Sequence, residues 1–90
     1  MAVIAYMTNW CPDCARSRRV LEREGVPYVE IDIDKTPDAE EAMRALNGGS
    51  GKVPTILVDT GTGRLTLIEP TDTELMDALR SHCGTSASAR

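Results

Sequence analysis

Two cysteines two residues apart, placed where an apolar run gives way to an arginine-rich segment, constrain this chain more than any other feature. The stretch reads Asn9-Trp10-Cys11-Pro12-Asp13-Cys14, with Ala2 to Tyr6 before it and Ala15 to Glu24 after it. Such a pair at a strand-to-helix junction reads as a redox dithiol. The first turn of a helix carries unpaired backbone N–H groups and a partial positive charge, which favour a thiolate over a neutral thiol. Cys11 falls at that edge and is the expected nucleophile. An ordinary cysteine has a pKa near about 8.5, and motifs of this kind bring it to about 7 or below. Pro12 suits the first helical position, where a missing N–H costs nothing, and it stiffens the turn between the sulfurs. Cys14, one turn on, can close a disulfide with Cys11. The competing readings are half a zinc site and a pair of inert thiols.

Ninety residues make one small domain. A net charge of -4 argues against nucleic acid as a partner. The aromatics are Tyr6, Trp10 and Tyr28, so the core must be built from aliphatic side chains. No run approaches the roughly 18 apolar residues of a membrane span, and Met1-Ala-Val-Ile lacks the basic start of a signal peptide. A cytoplasmic, monomeric protein is expected. Three cysteines, an odd number, do not make a secreted disulfide framework, which again favours catalysis or metal binding.

Ala2 to Tyr6 is a continuous apolar run of strand length, suited to burial on both faces. A helix is predicted from Pro12 to Glu24, anchored by Val20 and Leu21 and stopped by Gly25. Tyr28 to Ile33 alternates as a strand, with Val29, Ile31 and Ile33 on one face and Tyr28, Glu30 and Asp32 on the other. Thr36 can cap a second helix with Pro37 at its first position and Ala39, Ala42, Met43 and Leu46 inward, ended by Asn47-Gly48-Gly49. Lys52 to Asp59 and Leu65 to Ile68 form a hairpin through Gly61-Thr62-Gly63. A last helix begins near Thr71 or Asp72, turns Leu75, Met76 and Leu79 inward, and ends near Cys83-Gly84. The domain spans residues 1 to 83, and the polar tail 84 to 90 is expected to be disordered. This β-α-β-α-β-β-α order is that of a thioredoxin-like α/β fold, a four-stranded mixed sheet with three helices. Helices between the first three strands call for right-handed crossovers.

Trp10-Cys11-Pro12-Asp13-Cys14 and Val53-Pro54-Thr55, together with the chain length, resemble the glutaredoxin family over about residues 2 to 82. The resemblance implies a thiol-disulfide oxidoreductase that binds no cofactor and uses a low-molecular-weight thiol as co-substrate. It also implies a cis bond at Pro54, which would turn the Val53 backbone toward a substrate beside Cys11. Two features depart from the glutathione-using members. Thr8 stands where they usually carry a lysine, and Pro70-Thr71-Asp72-Thr73-Glu74 replaces their Gly-Gly-x-x-Asp turn. With Asn47-Gly48-Gly49 and Trp10, the pattern looks more like mycoredoxins, which work with mycothiol. Thr8, Trp10, Pro12, Asp13, Val53, Pro54, Thr71 and Asp72 are therefore the expected thiol- and substrate-binding residues. Two alternatives stand beside this reading. One is a redoxin fed by thioredoxin reductase that donates electrons to an enzyme such as ribonucleotide reductase. The other is a metal or iron-sulfur binding module.

Asp13 stabilises a helix start but repels a neighbouring thiolate, two opposed effects. Trp10 can stack on a thiol or shield the sulfurs. The arginines Arg16, Arg18, Arg19 and Arg23 read as a solvated face that could also steer acidic ligands. Cys83 falls on the Leu75 and Leu79 face and reads as a packed thiol. His82 beside it makes a fourth possible ligand with the three cysteines, although the spacing matches no zinc ribbon or knuckle.

Overall fold

Continuous apolar sequence and its interruptions set the order of elements: β1 (Ala2–Met7), α1 (Pro12–Arg23), β2 (Val29–Asp32), α2 (Ala39–Leu46), β3 (Thr55–Asp59), β4 (Arg64–Ile68) and α3 (Asp72–Ser88). The structure is a computed structural model that describes the backbone of residues 2–88 and the side chains of residues 2–81. α3 is carried past Cys83-Gly84 to Ser88. Residues 84–88, expected in the disordered tail, continue α3 as helix, while the side chains of His82 and Cys83, and with them the expectations for those two residues, lie outside the described residues.

The sheet is four-stranded, in the order β2-β1-β3-β4. β1 pairs parallel with β2 and antiparallel with β3, and β3 pairs antiparallel with β4. This is the mixed sheet of a thioredoxin-like fold, with one correction to the expected connections. Only β1-α1-β2 is a parallel crossover. β2 ends, and β3 begins, at the same edge of the sheet, because Met7 faces Asp32 and Tyr6 faces Thr55. The chain re-enters at the end of the sheet it left, so α2 carries it across β1 to an antiparallel strand, and the handedness rule for parallel crossovers does not apply.

Burial follows this order. Val3, Ala5, Tyr6 and Met7 of β1 are all buried, so both faces of this central strand are covered, and Ile56, Leu57 and Val58 of β3 repeat the pattern. α1 and α3 pack against each other, and α2 packs against β1. Val20 and Leu21 of α1, Met43 of α2, and Leu75 and Leu79 of α3 join one core. Full burial of a side chain of this size contributes about 1.5–3 kcal/mol. Gly25 ends α1 at φ 69°, a left-handed position that glycine occupies without strain.

Three local expectations change. α2 begins two residues late, at Ala39, because Thr36 is bound into a turn through its backbone to Asp32, and Asp38 takes the cap position at φ 64°. Ala42 is exposed, while Ala39 and Met43 face inward. Val29 was expected on the covered face of β2 and is 59% exposed. β2 is an edge strand, and Ile31 and Ile33 further along it carry the packing against the core.

Candidate active site

The registers gather distant parts of the sequence at one edge. β1, β2 and β4 end there and β3 begins there, since Thr55 faces both Tyr6 and Ile68. The dithiol after β1, the turn after β2, the Val53-Pro54 segment before β3 and the start of α3 are therefore neighbours.

Cys11 is the N-cap of α1, with extended backbone (φ -94°, ψ 118°) and Pro12 in the first turn. Its sulfur accepts from the Cys14 N–H at 3.3 Å, filling the role an oxygen plays in an ordinary cap. As a thiol it donates to the Val53 carbonyl at 3.7 Å. The Val53–Pro54 peptide is cis, as the resemblance implied. Cys11 is half-buried and Cys14 is fully buried, and both are free thiols. Burial pushes the Cys14 thiol up to about 12, and contacts with Cys11 push the same way while the Thr8 backbone and hydroxyl oppose them. A helix start, an accessible sulfur upon it and a second sulfur beneath can break and form a disulfide in turn.

The segment before β3 is held from inside. Asn47, 9% exposed, donates to Thr55 Oγ1 at 3.0 Å and accepts from the Ser50 N–H at 2.8 Å. Thr55 Oγ1 in turn donates to the Lys52 carbonyl at 2.9 Å. Arg44 ties the outer side of the same loop through the Gly49 carbonyl at 2.7 Å. Asn47 reads in the sequence as a helix stop, and its bracing of the site was not expected. An asparagine followed three residues later by a serine, with a threonine at the next strand's start, is too common a pattern to signal it.

The expected binding residues do not form one cluster. Val53 and Pro54 are buried beside Cys11. Trp10 is 68% exposed next to Cys11, and its indole N–H donates to Asp34 Oδ2 at 2.7 Å. Asp34, held by its own N–H to Asp32 Oδ1 at 2.9 Å, was not singled out from sequence. Pro12 is exposed, and Asp13 and Asp72 are linked through Arg16, which binds Asp13 at 2.8 Å and lies 3.5 Å from Asp72 without hydrogen-bond geometry. Thr8 was expected among the thiol-binding residues and is instead 1% exposed, turned toward Cys14. Thr71 closes on Glu74 in a capping box: its N–H donates to Glu74 Oε1 at 2.8 Å and its hydroxyl accepts from the Glu74 N–H at 3.1 Å. Of the helix-one arginines, Arg18 is committed to Glu30 by two bonds of 2.7 and 2.8 Å. Among the described residues no three His, Cys, Asp or Glu side chains are grouped to hold a metal ion, and no helix is long and apolar enough to cross a membrane.

Residues 3–61 match the family model described as glutaredoxin. A Mycobacterium tuberculosis protein named among the glutaredoxins is 34% identical over 74 residues, covering 82% of this chain and 84% of that one. Mycoredoxin 1 of Corynebacterium glutamicum is 37% identical over 60 residues, covering 67% of this chain and 73% of its own. Among solved structures, the glutaredoxin-like NrdH-redoxin from Escherichia coli, described as having a thioredoxin-like activity profile, superposes with a TM-score of 0.73 at 26% identity, over 88% of this chain and 95% of that one.

Proposed function

Because the chain belongs to the glutaredoxin family and is a thiol-disulfide oxidoreductase of that kind, we propose that it reduces mixed disulfides between proteins and a low-molecular-weight thiol, and protein disulfides, through Cys11 and Cys14. The observation that carries the assignment is the unequal placement of the sulfurs: Cys11 half-buried on a helix cap, Cys14 fully buried one turn in. The Cys11 thiolate attacks the thiol-derived sulfur of the mixed disulfide. That S–S bond breaks, the substrate protein leaves as a thiol, and Cys11 keeps the small thiol in a new mixed disulfide. A second thiol molecule releases it, or Cys14 displaces it and closes the Cys11–Cys14 disulfide.

The electron donor we propose is mycothiol or a similar non-glutathione thiol. Thr8 is buried and has no charge to offer a glutathione carboxylate. Thr71 spends its N–H and its hydroxyl on Glu74, at the turn where glycines would let a γ-glutamyl group approach. Losing one charge-assisted anchor costs roughly tenfold in affinity. Trp10 supplies a flat, exposed, apolar surface beside Cys11, suited to a sugar-bearing thiol. Mixed-disulfide reduction with each thiol at equal concentration tests the proposal, and faster turnover with glutathione would overturn it.

The likeness to NrdH-redoxin favours a second reading, direct reduction by thioredoxin reductase and delivery of electrons to a reductase such as ribonucleotide reductase. Rapid NADPH oxidation with thioredoxin reductase and no small thiol present would favour it over the first.

A further inference from the structure

Thr8 leaves β1 one residue after the fully buried Met7, and is itself 1% exposed. Its Oγ1 is buried and has no hydrogen-bond partner of standard geometry. Buried hydroxyls are normally paired, so one that is not calls for a reason. The group it faces is Cys14, whose sulfur is buried as completely and whose own N–H is occupied by the Cys11 sulfur. We propose that the Thr8 hydroxyl is a positioning group for the resolving sulfur, unpaired while Cys14 is a neutral thiol and donating to it as it becomes the attacking thiolate.

The inference rests on the reading of Cys14 as the resolving thiol. In that step Cys14 loses its proton, its sulfur attacks Cys11 Sγ, the bond from Cys11 to the small thiol breaks, and a Cys11–Cys14 bond forms. The leaving thiolate takes up the proton, so a thiol and a mixed disulfide become a disulfide and a thiol. Charge must therefore appear for a moment on a sulfur that burial pushes up to about 12. Water does not reach that sulfur in the described structure, and the donors turned toward it are the backbone and hydroxyl of Thr8. A threonine serves where a valine of equal shape would only fill space.

The test is a rapid-mixing experiment with a symmetrical nitroaryl disulfide whose released thiolate absorbs visible light. Attack by Cys11 releases the first arylthiolate at a rate proportional to reagent concentration. Closure by Cys14 releases the second at a rate independent of it. The ratio of second-phase to first-phase rate should fall roughly three- to tenfold in Thr8→Val, as loss of one hydrogen bond to a developing charge implies. Thr8→Ser should keep most of the ratio and Thr8→Ala should lose it, a comparison that isolates the hydroxyl even if the valine variant does not fold. The melting temperature of Thr8→Val should not fall, since an unpaired buried hydroxyl contributes nothing to stability. An unchanged ratio in Thr8→Val, or equal losses in Thr8→Ser and Thr8→Ala, would overturn the proposal. Failure of the underlying reading looks different: the wild-type protein itself would then release a single arylthiolate in one phase.

Discussion

Cys11 and Cys14 share one helical turn, yet their surroundings have little in common. Cys11 is half-buried and touches polar backbone on two sides, the Cys14 N–H and the Val53 carbonyl. Cys14 is 0% exposed, belongs to the same core as Leu21 and Leu75, and is pushed up to about 12 by that burial. The difference teaches that a dithiol is made asymmetric by the packing beneath it as much as by the helix start above it. In the proposed reaction one sulfur meets substrates, and the other stays protonated and out of reach until the first carries an adduct.

Breaking each half of the pair separates their roles. Cys11→Ser should reduce turnover on every disulfide substrate to the background rate. Cys14→Ser should keep turnover on mixed disulfides with small thiols and lose it on protein disulfides, because an intramolecular disulfide needs two protein sulfurs. Activity in Cys11→Ser together with inactivity in Cys14→Ser on small mixed disulfides would reverse the assignment.

The burial of Cys14 also has a thermodynamic signature. Its folded-state pKa is raised from 9.0 to about 12, so above about pH 9 the unfolded chain gives up a proton that the folded chain keeps. Stability from this group is complete below pH 9 and is lost as pH rises toward 12, with a slope of up to about 1.4 kcal/mol per pH unit. Denaturant unfolding across that range should show a steeper decline in wild type than in Cys14→Ala. Parallel declines would mean that Cys14 is less enclosed than the packing implies.

Smaller effects are expected on the Cys11 side, where the surroundings are polar and partly wet. Asn47→Ala removes two hydrogen bonds beneath the Val53-Pro54 segment and leaves Thr55 Oγ1 without its buried donor. A loss of about 2–3 kcal/mol in unfolding free energy is expected, together with slower turnover, because the loop that meets Cys11 loosens. Smallest of all is Asp34→Ala, which frees the exposed indole of Trp10. KM for a small mixed disulfide should rise roughly two- to threefold with kcat little changed, in keeping with the weight of an exposed charged contact. A change in kcat alone would show that Trp10 acts on the sulfur chemistry and not on binding.

Much of this site is legible in the residues because local rules speak for it. Cys11-Pro12 marks a helix start whatever surrounds it and Gly25 a helix end, and α3 begins at the expected Thr71-Asp72, although its Thr71–Glu74 capping box was not read from the sequence. The misses share another cause. Thr8 lies under Cys14, Asp34 holds Trp10 across 24 positions, and Asn47 braces Thr55 only once β3 is in place. Each depends on which edge of the sheet a strand enters, and β3 enters beside the dithiol because it runs antiparallel to β1. Strand direction has no local signature, and alternation alone likewise did not mark Val29 as lying on an exposed edge strand.

Trp10 is the single tryptophan of the chain, and Asp34 holds its indole immediately before the half-buried sulfur. The protein therefore carries an intrinsic optical probe beside the proposed nucleophile. Every photon of tryptophan emission originates from this one position, so adduct formation on Cys11 and disulfide closure can be followed in real time without a dye, a tag or an engineered fluorophore.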